Sequence, residues 1–263
     1  MIFRSGQVAI VTGIGPGMGR SIALGLARHG VEVAIAARRA DRLEAVAREI
    51  RALGRQPLVF PLDITDQSGC EKLVAATSER FGGIDILVQN GHDEGDWSSV
   101  LDADEDRWRR VFEVNFFGAM NLAKAAVPAM RKRGTGAIVL VNTGGAIRVP
   151  PGMGAYSASK SALASLTRTL ATELGPSKIR VNGVYFGAID GETVAAAAAK
   201  AAAAFGISVE AFYARMNAEC VLGGRLPTPD ECAGTIVYLC SDLSTAVTGQ
   251  HISVNNGQWI TAP

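Results

Sequence analysis

The chain is poor in the residue types that build metal centres and disulfide frameworks. Its 263 residues include only three histidines and four cysteines. The cysteines, at positions 70, 220, 232 and 240, show no metal-ligand spacing, and we expect them to be reduced and mostly buried as small apolar residues. Because the sequence shows neither a histidine cluster nor paired carboxylates, we predict no catalytic metal.

A strong excess of either charge is also missing. The chain has 26 lysines and arginines against 25 aspartates and glutamates, for a formal net charge of +1, so electrostatics give no reason to expect a nucleic-acid or acidic membrane partner. No apolar run approaches the roughly 20 residues that cross a bilayer. The N-terminus lacks the basic segment, apolar stretch and cleavage site of a signal peptide. We therefore expect a cytoplasmic protein with no membrane partner.

Short apolar runs of strand type alternate with helical patterns along the chain. We predict strands at residues 7–11, 31–37, 57–62, 84–88, 137–141, 179–184 and 251–254. We predict helices at residues 21–29, 41–53, 66–81, 104–130, 153–174 and 229–239. This alternation is typical of a parallel sheet with helices on both faces, and no linker or repeat interrupts it. The prediction is one α/β domain over residues 1–263, a doubly wound sheet of about seven strands.

A glycine-rich turn follows the first predicted strand. Gly13, Gly15, Gly17 and Gly19 occupy alternate positions there, with Met18 among them. A strand before the turn and a helix after it bring backbone N–H groups and a helix N-terminus together, where they can bind a pyrophosphate. Only glycine lets a backbone approach phosphate so closely. We interpret the segment as a dinucleotide-binding turn.

Tyr156 and Lys160 stand four residues apart in a stretch with a helical pattern, so their side chains share one face. A nearby ammonium favours phenolate over phenol. It should therefore lower the tyrosine pKa from its reference of about 10 toward the range where proton transfer near neutral pH is practical. The pair is a candidate general acid/base.

Together these motifs resemble those of the short-chain dehydrogenase/reductase family. The family's glycine signature, T-G-x-x-x-G-x-G, is met by Thr12, Gly13, Gly17 and Gly19, and its Y-x-x-x-K signature is met by Tyr156 and Lys160. Further matches follow in the family's order: Asp63, Asn90, Asn115, residues 180–182 and residues 248–250. The resemblance implies a Rossmann fold and an oxidoreductase that moves a hydride between nicotinamide and a carbonyl carbon, interconverting a ketone and a secondary alcohol.

The resemblance also implies roles for the catalytic residues. Tyr156 would give or take the proton, Lys160 would lower the Tyr156 pKa and hold the nicotinamide ribose, and Asn115 would anchor a water between Lys160 and solvent. The family's serine is absent. The aligned residue is Thr143, which keeps the hydroxyl donor for the substrate oxygen but adds a methyl that restricts χ1.

Other positions in the resemblance would bind the cofactor. Asp63 and Ile64 would contact adenine, Asn90 and Gly91 would lie beside the adenosine ribose, and the nicotinamide would be bordered by Phe186, Gly187 and Ile189. The segment 89–92 and Phe186, which stands where the family usually has proline, depart from the usual pattern. These departures bear on substrate choice.

The end of the second strand indicates which dinucleotide binds. An acidic side chain there would accept hydrogen bonds from the NAD ribose, but the residue is Ala37. Arg38 and Arg39 follow it, and their guanidinium groups can pair with a 2′-phosphate and stack on adenine. The sequence therefore favours NADP(H) over NAD(H).

Residues 190–224 lie where the family places a substrate lid. We predict two short helices there, one alanine-rich and one over residues 209–217, with Phe205, Phe212 and Met216 facing the pocket. A further apolar set completes the predicted wall: Ile147, Val149, Met153 and Phe186. Such a wall predicts a bulky, largely hydrophobic substrate. His92 is a further candidate for contact with the nicotinamide or a polar substrate group.

Two alternative functions stay open. A 3-oxoacyl carrier-protein reductase would share the chemistry and should carry a basic docking patch, for which residues 130–133 are a candidate, although a helix C-terminus attracts such charge anyway. A dinucleotide-binding sensor or scaffold would keep the fold without turnover, as the Thr143 replacement suggests, but the intact Tyr156, Lys160 and Asn115 argue against it. The resemblance further implies a homotetramer formed through the long helices.

Overall fold

The computed structural model describes residues 2–260, and the side chains of these residues except 193, 197, 200, 201 and 203–205. Seven strands in this part of the chain form one sheet. They are β1 (Val8–Thr12), β2 (Glu32–Ala37), β3 (Leu58–Pro61), β4 (Ile86–Gln89), β5 (Gly136–Thr143), β6 (Ile179–Phe186) and β7 (His251–Val254). Their order is β3-β2-β1-β4-β5-β6-β7, and every neighbouring pair is parallel. The predicted doubly wound sheet is confirmed.

Helices cover both faces of this sheet. They are α1 (Met18–Arg28), α2 (Ala40–Ala52), α3 (Gln67–Phe81), α4 (Glu105–Phe112), α5 (Gly118–Arg133), α6 (Gly154–Leu174), α7 (Glu192–Phe205), α8 (Val209–Ala218) and α9 (Pro229–Cys240). Successive residues of β1 face opposite sides. Ala9 and Val11 pack with α1, α2 and α9, whereas Ile10 packs with α3, α5 and α6. Burial on both faces explains why the strands read as continuous apolar runs.

The single helix predicted over residues 104–130 is interrupted. A π-helical turn at Glu113–Phe117 separates α4 from α5 and contains Asn115. The periodicity of apolar residues predicted helix correctly, but it cannot distinguish an α turn from a π turn. Such single-turn insertions occur frequently at functional sites.

The order of the strands reverses between β1 and β4, because the chain builds one half of the sheet outward from β1 and then begins the other half at β4. In open sheets of this type, ligands bind beyond the carboxyl ends of the strands at that reversal. The turn after β1 and Asn90 after β4 both lie there. No described helix is both long and apolar enough to cross a membrane.

Candidate active site

A cleft of ≈ 410 Å³ opens along the carboxyl ends of β1, β2, β4, β5 and β6. This volume lies within the range of small-molecule sites. The cleft brings together most of the residues predicted from the sequence: Gly13, Gly15, Gly17, Met18, Gly19, Arg38, Arg39, Asp63, Ile64, Asn90, Gly91, His92, Thr143, Tyr156, Lys160, Phe186, Gly187 and Ile189.

The glycine turn packs tightly against the loop after β4. Gly13 has φ 70°, and a Cβ at this position would overlap the backbone of Asn90 and Gly91. Asn90 Nδ2 donates to the Gly13 carbonyl oxygen at 2.9 Å. A Cβ on Gly19 would in turn overlap the Gly13 carbonyl oxygen. The turn is therefore held in one conformation at the reversal of strand order.

The N-terminus of α1 faces the cleft with backbone donors available. Its N-cap residue is Gly17, no described side chain caps the helix, and its first turn contains no acidic residue. A Cβ on Gly17 would meet nothing within 4 Å, so the space in front of the helix is open. Helix N-termini of this kind bind anions through free N–H groups and the helix dipole. The site fits a dinucleotide pyrophosphate.

Arginines line the end of the cleft beyond β2. Arg38 and Arg39 are exposed there, and Arg39 pairs with Asp41, with Nη2 and Oδ2 2.8 Å apart. Arg42, which the sequence analysis missed, lines the same end from the first turn of α2. Sequence spacing gives no signal for it, because Arg38 precedes α2 and only the packing of this helix brings Arg42 to the cleft. The three cations suit an anionic group on the adenosine side.

Asp63 is held in the cleft wall by its neighbours. Its Oδ1 accepts from Thr65 N at 3.0 Å and from Thr65 Oγ1 at 2.8 Å, and its Oδ2 accepts from Arg110 Nη2 at 2.9 Å. Burial alone would raise the pKa of this carboxyl, but the hydrogen bonds from Thr65 and Arg110 outweigh burial and lower the pKa. The carboxylate is therefore fixed and ionised at neutral pH.

Lys160 is buried beneath Tyr156. Its Nζ donates to the Val141 carbonyl oxygen at 2.9 Å and lies 5.9 Å from the centre of the Tyr156 ring. Burial lowers the pKa of Lys160 to about 7. The ammonium that the sequence places beside the phenol is therefore only partly charged near neutral pH.

The pKa of Tyr156 differs from the sequence prediction. Burial raises it above its ordinary value, the Glu94 charge raises it further, and the Thr143 hydroxyl offsets part of the rise. The expected lowering by Lys160 was wrong, because residue spacing revealed the neighbouring cation but not the desolvation of both groups. Thr143 and Tyr156 line the same cleft. Thr143 Oγ1 also accepts from Gly145 N at 3.2 Å.

Asn115 lies behind the cleft rather than in its wall. It is fully buried in the π turn, and its Nδ2 donates to the Asp93 carbonyl oxygen and to Ser159 Oγ, both at 2.9 Å. Its Oδ1 accepts from Asp93 N at 2.8 Å. The side chain thus ties the loop after β4 to α6 between Tyr156 and Lys160. The proposed water next to Lys160 stays a prediction.

The loop after β4 places polar groups beside Tyr156. The His92 ring centre is 6.2 Å from that of Tyr156, and His92 Nε2 is 3.6 Å from Glu94 Oε1. Asp93 lines the cleft and pairs with Arg107, whose Nη1 donates to Oδ2 at 2.8 Å. His92 was predicted from the sequence, but Asp93 and Glu94 were missed, because Asp93 pairs with Arg107 on α4 and Glu94 acts on Tyr156 on α6.

The predicted apolar wall is only partly assembled. Among the described side chains, Ile147 and Met153 do not line the cleft, and Ile147 is 44% exposed because it follows a short turn at the surface. Two helices form where the lid was expected, but Phe212 and Met216 on α8 are half-buried without lining the cleft. The Phe205 side chain lies outside the described residues. Among the described side chains of this set, only Phe186 borders the cleft.

Groups that could bind a metal do not gather in the described part of the chain. Within residues 2–260, no three or more histidine, cysteine, aspartate or glutamate side chains form a metal-binding cluster. The four cysteines are free and buried, as the sequence predicted.

A parallel sheet with a glycine turn at its reversal of strand order, and a tyrosine–lysine pair across the cleft, defines the dinucleotide-binding oxidoreductase class. A family model described as enoyl-(acyl carrier protein) reductase matches residues 13–258. The dehydrogenase/reductase SDR family member 4 of Sus scrofa is 31% identical over 251 residues, covering 95% of this chain and 86% of that protein. The chain belongs to the short-chain dehydrogenase/reductase family, whose oxidoreductases bind a nicotinamide dinucleotide.

Two solved structures are also similar. One is the L-sorbose reductase of Gluconobacter frateurii complexed with NADPH and L-sorbose, with a TM-score of 0.92, 31% identity and 99% coverage of both chains. The other is a xylitol dehydrogenase with bound NAD⁺, with a TM-score of 0.89, 28% identity and coverage of 96% of this chain and 99% of that one. The relatives therefore include complexes of both dinucleotides.

Proposed function

We propose that this protein is an NADP(H)-dependent oxidoreductase that interconverts a ketone and a secondary alcohol. The observation that carries the proposal is that Thr143, Tyr156 and Lys160 line the same cleft as the glycine turn, with Lys160 Nζ 5.9 Å from the centre of the Tyr156 ring. Bound NADP(H) would supply or accept the hydride. The α1 N-terminus would hold its pyrophosphate, and Gly187 and Ile189 would border its nicotinamide.

The chain's own residues handle the proton and the oxygen. In ketone reduction, Tyr156 donates its phenolic proton to the carbonyl oxygen while Thr143 donates a hydrogen bond to the same oxygen. Raised as it is by burial, the Tyr156 pKa keeps the phenol protonated and ready for this step. In alcohol oxidation, the Tyr156 phenolate accepts the proton of the alcohol, and a protonated Lys160 stabilises that phenolate before the transfer.

The preference for NADP(H) is supported by the residues beyond β2. Ala37 offers no carboxylate to a ribose, whereas Arg38, Arg39 and Arg42 offer guanidinium groups to a 2′-phosphate. Because Arg39 pairs with Asp41 and Arg42 Nη2 lies 4.0 Å from Glu192 Oε2, Arg38 is the strongest partner. The relatives bind either dinucleotide, so the preference rests on these side chains.

A bulky, largely hydrophobic ketone remains the proposed substrate. Phe186 borders the cleft, and Ile147 and Val149 are exposed on the loop that begins next to Thr143, where a substrate could cover them. His92 would contact a polar group on the same side. Val194 of α7 already lines the cleft, and the apolar wall would be completed only if α8 moved over it.

The carrier-protein alternative is weakened by the position of its docking patch. Arg133 Nε donates to Asp85 Oδ1 at 3.1 Å, and its Nη2 donates to the Gly6 carbonyl oxygen at 3.2 Å. Asp85 and Gly6 precede β4 and β1, so residues 130–133 lie at the amino edge of the sheet, opposite the cleft. A carrier protein bound there would not face the pocket.

A screen of NADPH consumption tests the proposed function. Purified protein is mixed with cyclic ketones, polyhydroxy ketones, acyl thioesters and quinones, and absorbance at the NADPH band is followed. Consumption with cyclic ketones is expected, and Tyr156→Phe should abolish it. A sensor or scaffold would bind NADPH but consume it with no substrate class. Homotetrameric assembly and cytoplasmic location stay predictions from the sequence.

A further inference from the structure

The chain turns sharply after β7 and returns to the carboxyl edge of the sheet. Asn255 holds this turn, since its Oδ1 accepts from Gly257 N at 2.9 Å and its Nδ2 donates to the Trp259 carbonyl oxygen at 3.0 Å. Asn256 and Gly257 have φ values of 48° and 76°, in the left-handed region. The turn places Gln258 and Trp259 against the loops that follow β5 and β6.

Gln258 binds the loop after β6 through its side chain. Its Oε1 accepts from Ala188 N and its Nε2 donates to the Ala188 carbonyl oxygen, both at 2.9 Å. One side chain thereby occupies both backbone groups of a single residue. A Cβ on Gly187 would lie 2.5 Å from Gln258 Oε1, so glycine is needed at position 187 for the two to meet. Gly187 and Ile189, on either side of Ala188, line the cleft.

Trp259 packs against the loop after β5. A Cβ on Gly144 would overlap the edge of the Trp259 indole ring, and Gly144 directly follows Thr143. Arg148, on the same loop, donates from Nη1 to the Gln258 carbonyl oxygen at 3.3 Å. Because Thr143 and Phe186 are paired in register, the two loops begin side by side. Gln258 and Trp259 bridge them.

We propose that Gln258 and Trp259 are positioning residues that hold the loop after β6 at a fixed distance from Thr143. The inference rests on the proposed function, in which that loop borders the nicotinamide and Thr143 binds the substrate oxygen. Among the described residues, neither side chain lines the cleft, so both act through the loops. A displacement of about 1 Å between reacting groups can slow a reaction by about 100-fold.

Three variants separate this role from general packing. Gln258→Leu keeps the size of the side chain and removes both bonds to Ala188. Gln258→Glu keeps the acceptor and replaces the donor with a carboxyl. Ile260→Ala is the control, because Ile260 is 86% exposed two residues further on. Single-turnover hydride transfer, and the dissociation constants of NADP(H) and of 2′,5′-ADP, are measured for each.

Gln258→Leu should slow hydride transfer by about 10- to 100-fold and weaken NADP(H) binding. Its affinity for 2′,5′-ADP should stay within about twofold of wild type, since this fragment lacks the nicotinamide and binds at the far end of the cleft. Ile260→Ala should match wild type throughout. A wild-type rate in Gln258→Leu would overturn the proposal.

The pH dependence of Gln258→Glu distinguishes a positioning role from a role in packing alone. At high pH its carboxylate repels the Ala188 carbonyl oxygen, whereas at low pH its protonated carboxyl donates to that oxygen and restores the lost bond. The rate of Gln258→Glu divided by that of wild type should therefore rise as pH falls. A ratio independent of pH would contradict the positioning role.

Failure of the proposed function would look different. If wild type transfers no hydride with either dinucleotide, amide hydrogen exchange still decides the matter. The bridge predicts that Gln258→Leu speeds exchange in residues 186–189 and also in residues 143–148, which Gln258 contacts only through its backbone. Faster exchange in residues 186–189 alone, or in neither segment, would show that the two loops are not held together.

Discussion

Thr143 stands where the family's usual pattern has serine, and it lines the same cleft as Tyr156. Thr143→Ser keeps the donor and removes a methyl, so turnover should hold or rise. Thr143→Val keeps the branched shape and deletes the donor. Removing one preorganised donor to a developing oxyanion costs about 100- to 1000-fold in rate.

The turnover rates of these two variants are compared with that of Tyr156→Phe, which should lose proton transfer. NADP(H) affinity should change little in either Thr143 variant, because the hydroxyl faces the substrate. If Thr143→Val reduced its ketone as fast as wild type while Tyr156→Phe were inactive, another group would bind the carbonyl.

Lys160 predicts a pH dependence of stability. Burial lowers its pKa to about 7 from its ordinary value of 10.5, so between these pH values the unfolded chain binds the proton more tightly than the folded chain. Stability due to this residue therefore rises with pH from about 7 to about 10, and the unfavourable burial of the charge is fully present below pH 7. Lys160→Met should be more stable than wild type at pH 7, by a few kcal/mol.

Urea unfolding at pH 7, 8 and 9 measures this difference. The advantage of Lys160→Met should shrink as pH rises. The pKa values of the buried thiols Cys70, Cys232 and Cys240 are raised by burial, but these groups are common to both proteins and cancel in the comparison. If the difference in unfolding free energy between Lys160→Met and wild type stayed constant or grew with pH, burial of a charged Lys160 would not destabilise the protein.

Arg38 determines cofactor choice in this account. Arg38→Asp removes a phosphate partner and adds a repelling carboxylate, so preference should move toward NADH by about one to a few kcal/mol. Arg48→Asp makes the same change of charge on an exposed part of α2 that does not line the cleft and serves as the control. Equal kcat/KM values of wild type for NADH and NADPH would show that Arg38 does not select the cofactor.

At the residue scale, the sequence predicted which side chains belong to the site, but it did not predict how those side chains are buried or which groups surround them. The motif spacing identified Tyr156, Lys160 and Thr143, and the structure brings them together. Neither the burial that raises the Tyr156 pKa nor the position of Arg42 in the cleft follows from spacing, because both depend on how separate elements pack. Asp93 was missed for the same reason, since its partner Arg107 lies on another element.

At the scale of elements, the strands were predictable because burial on both faces leaves continuous apolar runs. The helix over residues 104–130 was predicted as one unit. What interrupts it is the π turn around Asn115, whose side chain bonds to Asp93 and Ser159. These are long-range contacts that helical periodicity does not encode.

The segment 190–224 is predicted to move over the cleft when a substrate is bound. Its two helices form, but Phe212 and Met216 lie away from the cleft, so the proposed lid must move to cover a substrate. Cleavage by trypsin after the exposed Arg215 should slow when NADP(H) and a turned-over substrate are both present. NADP(H) alone is the control. Equal cleavage in all conditions would count against a lid that closes.

At the scale of the whole molecule, the sheet brings distant parts of the chain to one edge. The glycine turn lies near residue 13, the acid/base pair near residue 156 and the bridging turn near residue 258, yet all meet beyond the carboxyl ends of the strands. The resemblance to a known family predicted this arrangement, because the order of the motifs along the chain fixes which strand ends they follow. It did not predict which substrate would fit the open side of the cleft.

The central claim is that hydride passes directly between the dinucleotide and a carbonyl carbon while Tyr156 supplies the proton. NADPH carrying deuterium at the transferred position of C4 is reacted with a ketone identified in the screen, and the alcohol is analysed by mass spectrometry and NMR. The account predicts one deuterium on the carbinol carbon of the product from wild type and no measurable product from Tyr156→Phe. Product lacking deuterium at that carbon, or equal yields from the two proteins, would contradict it.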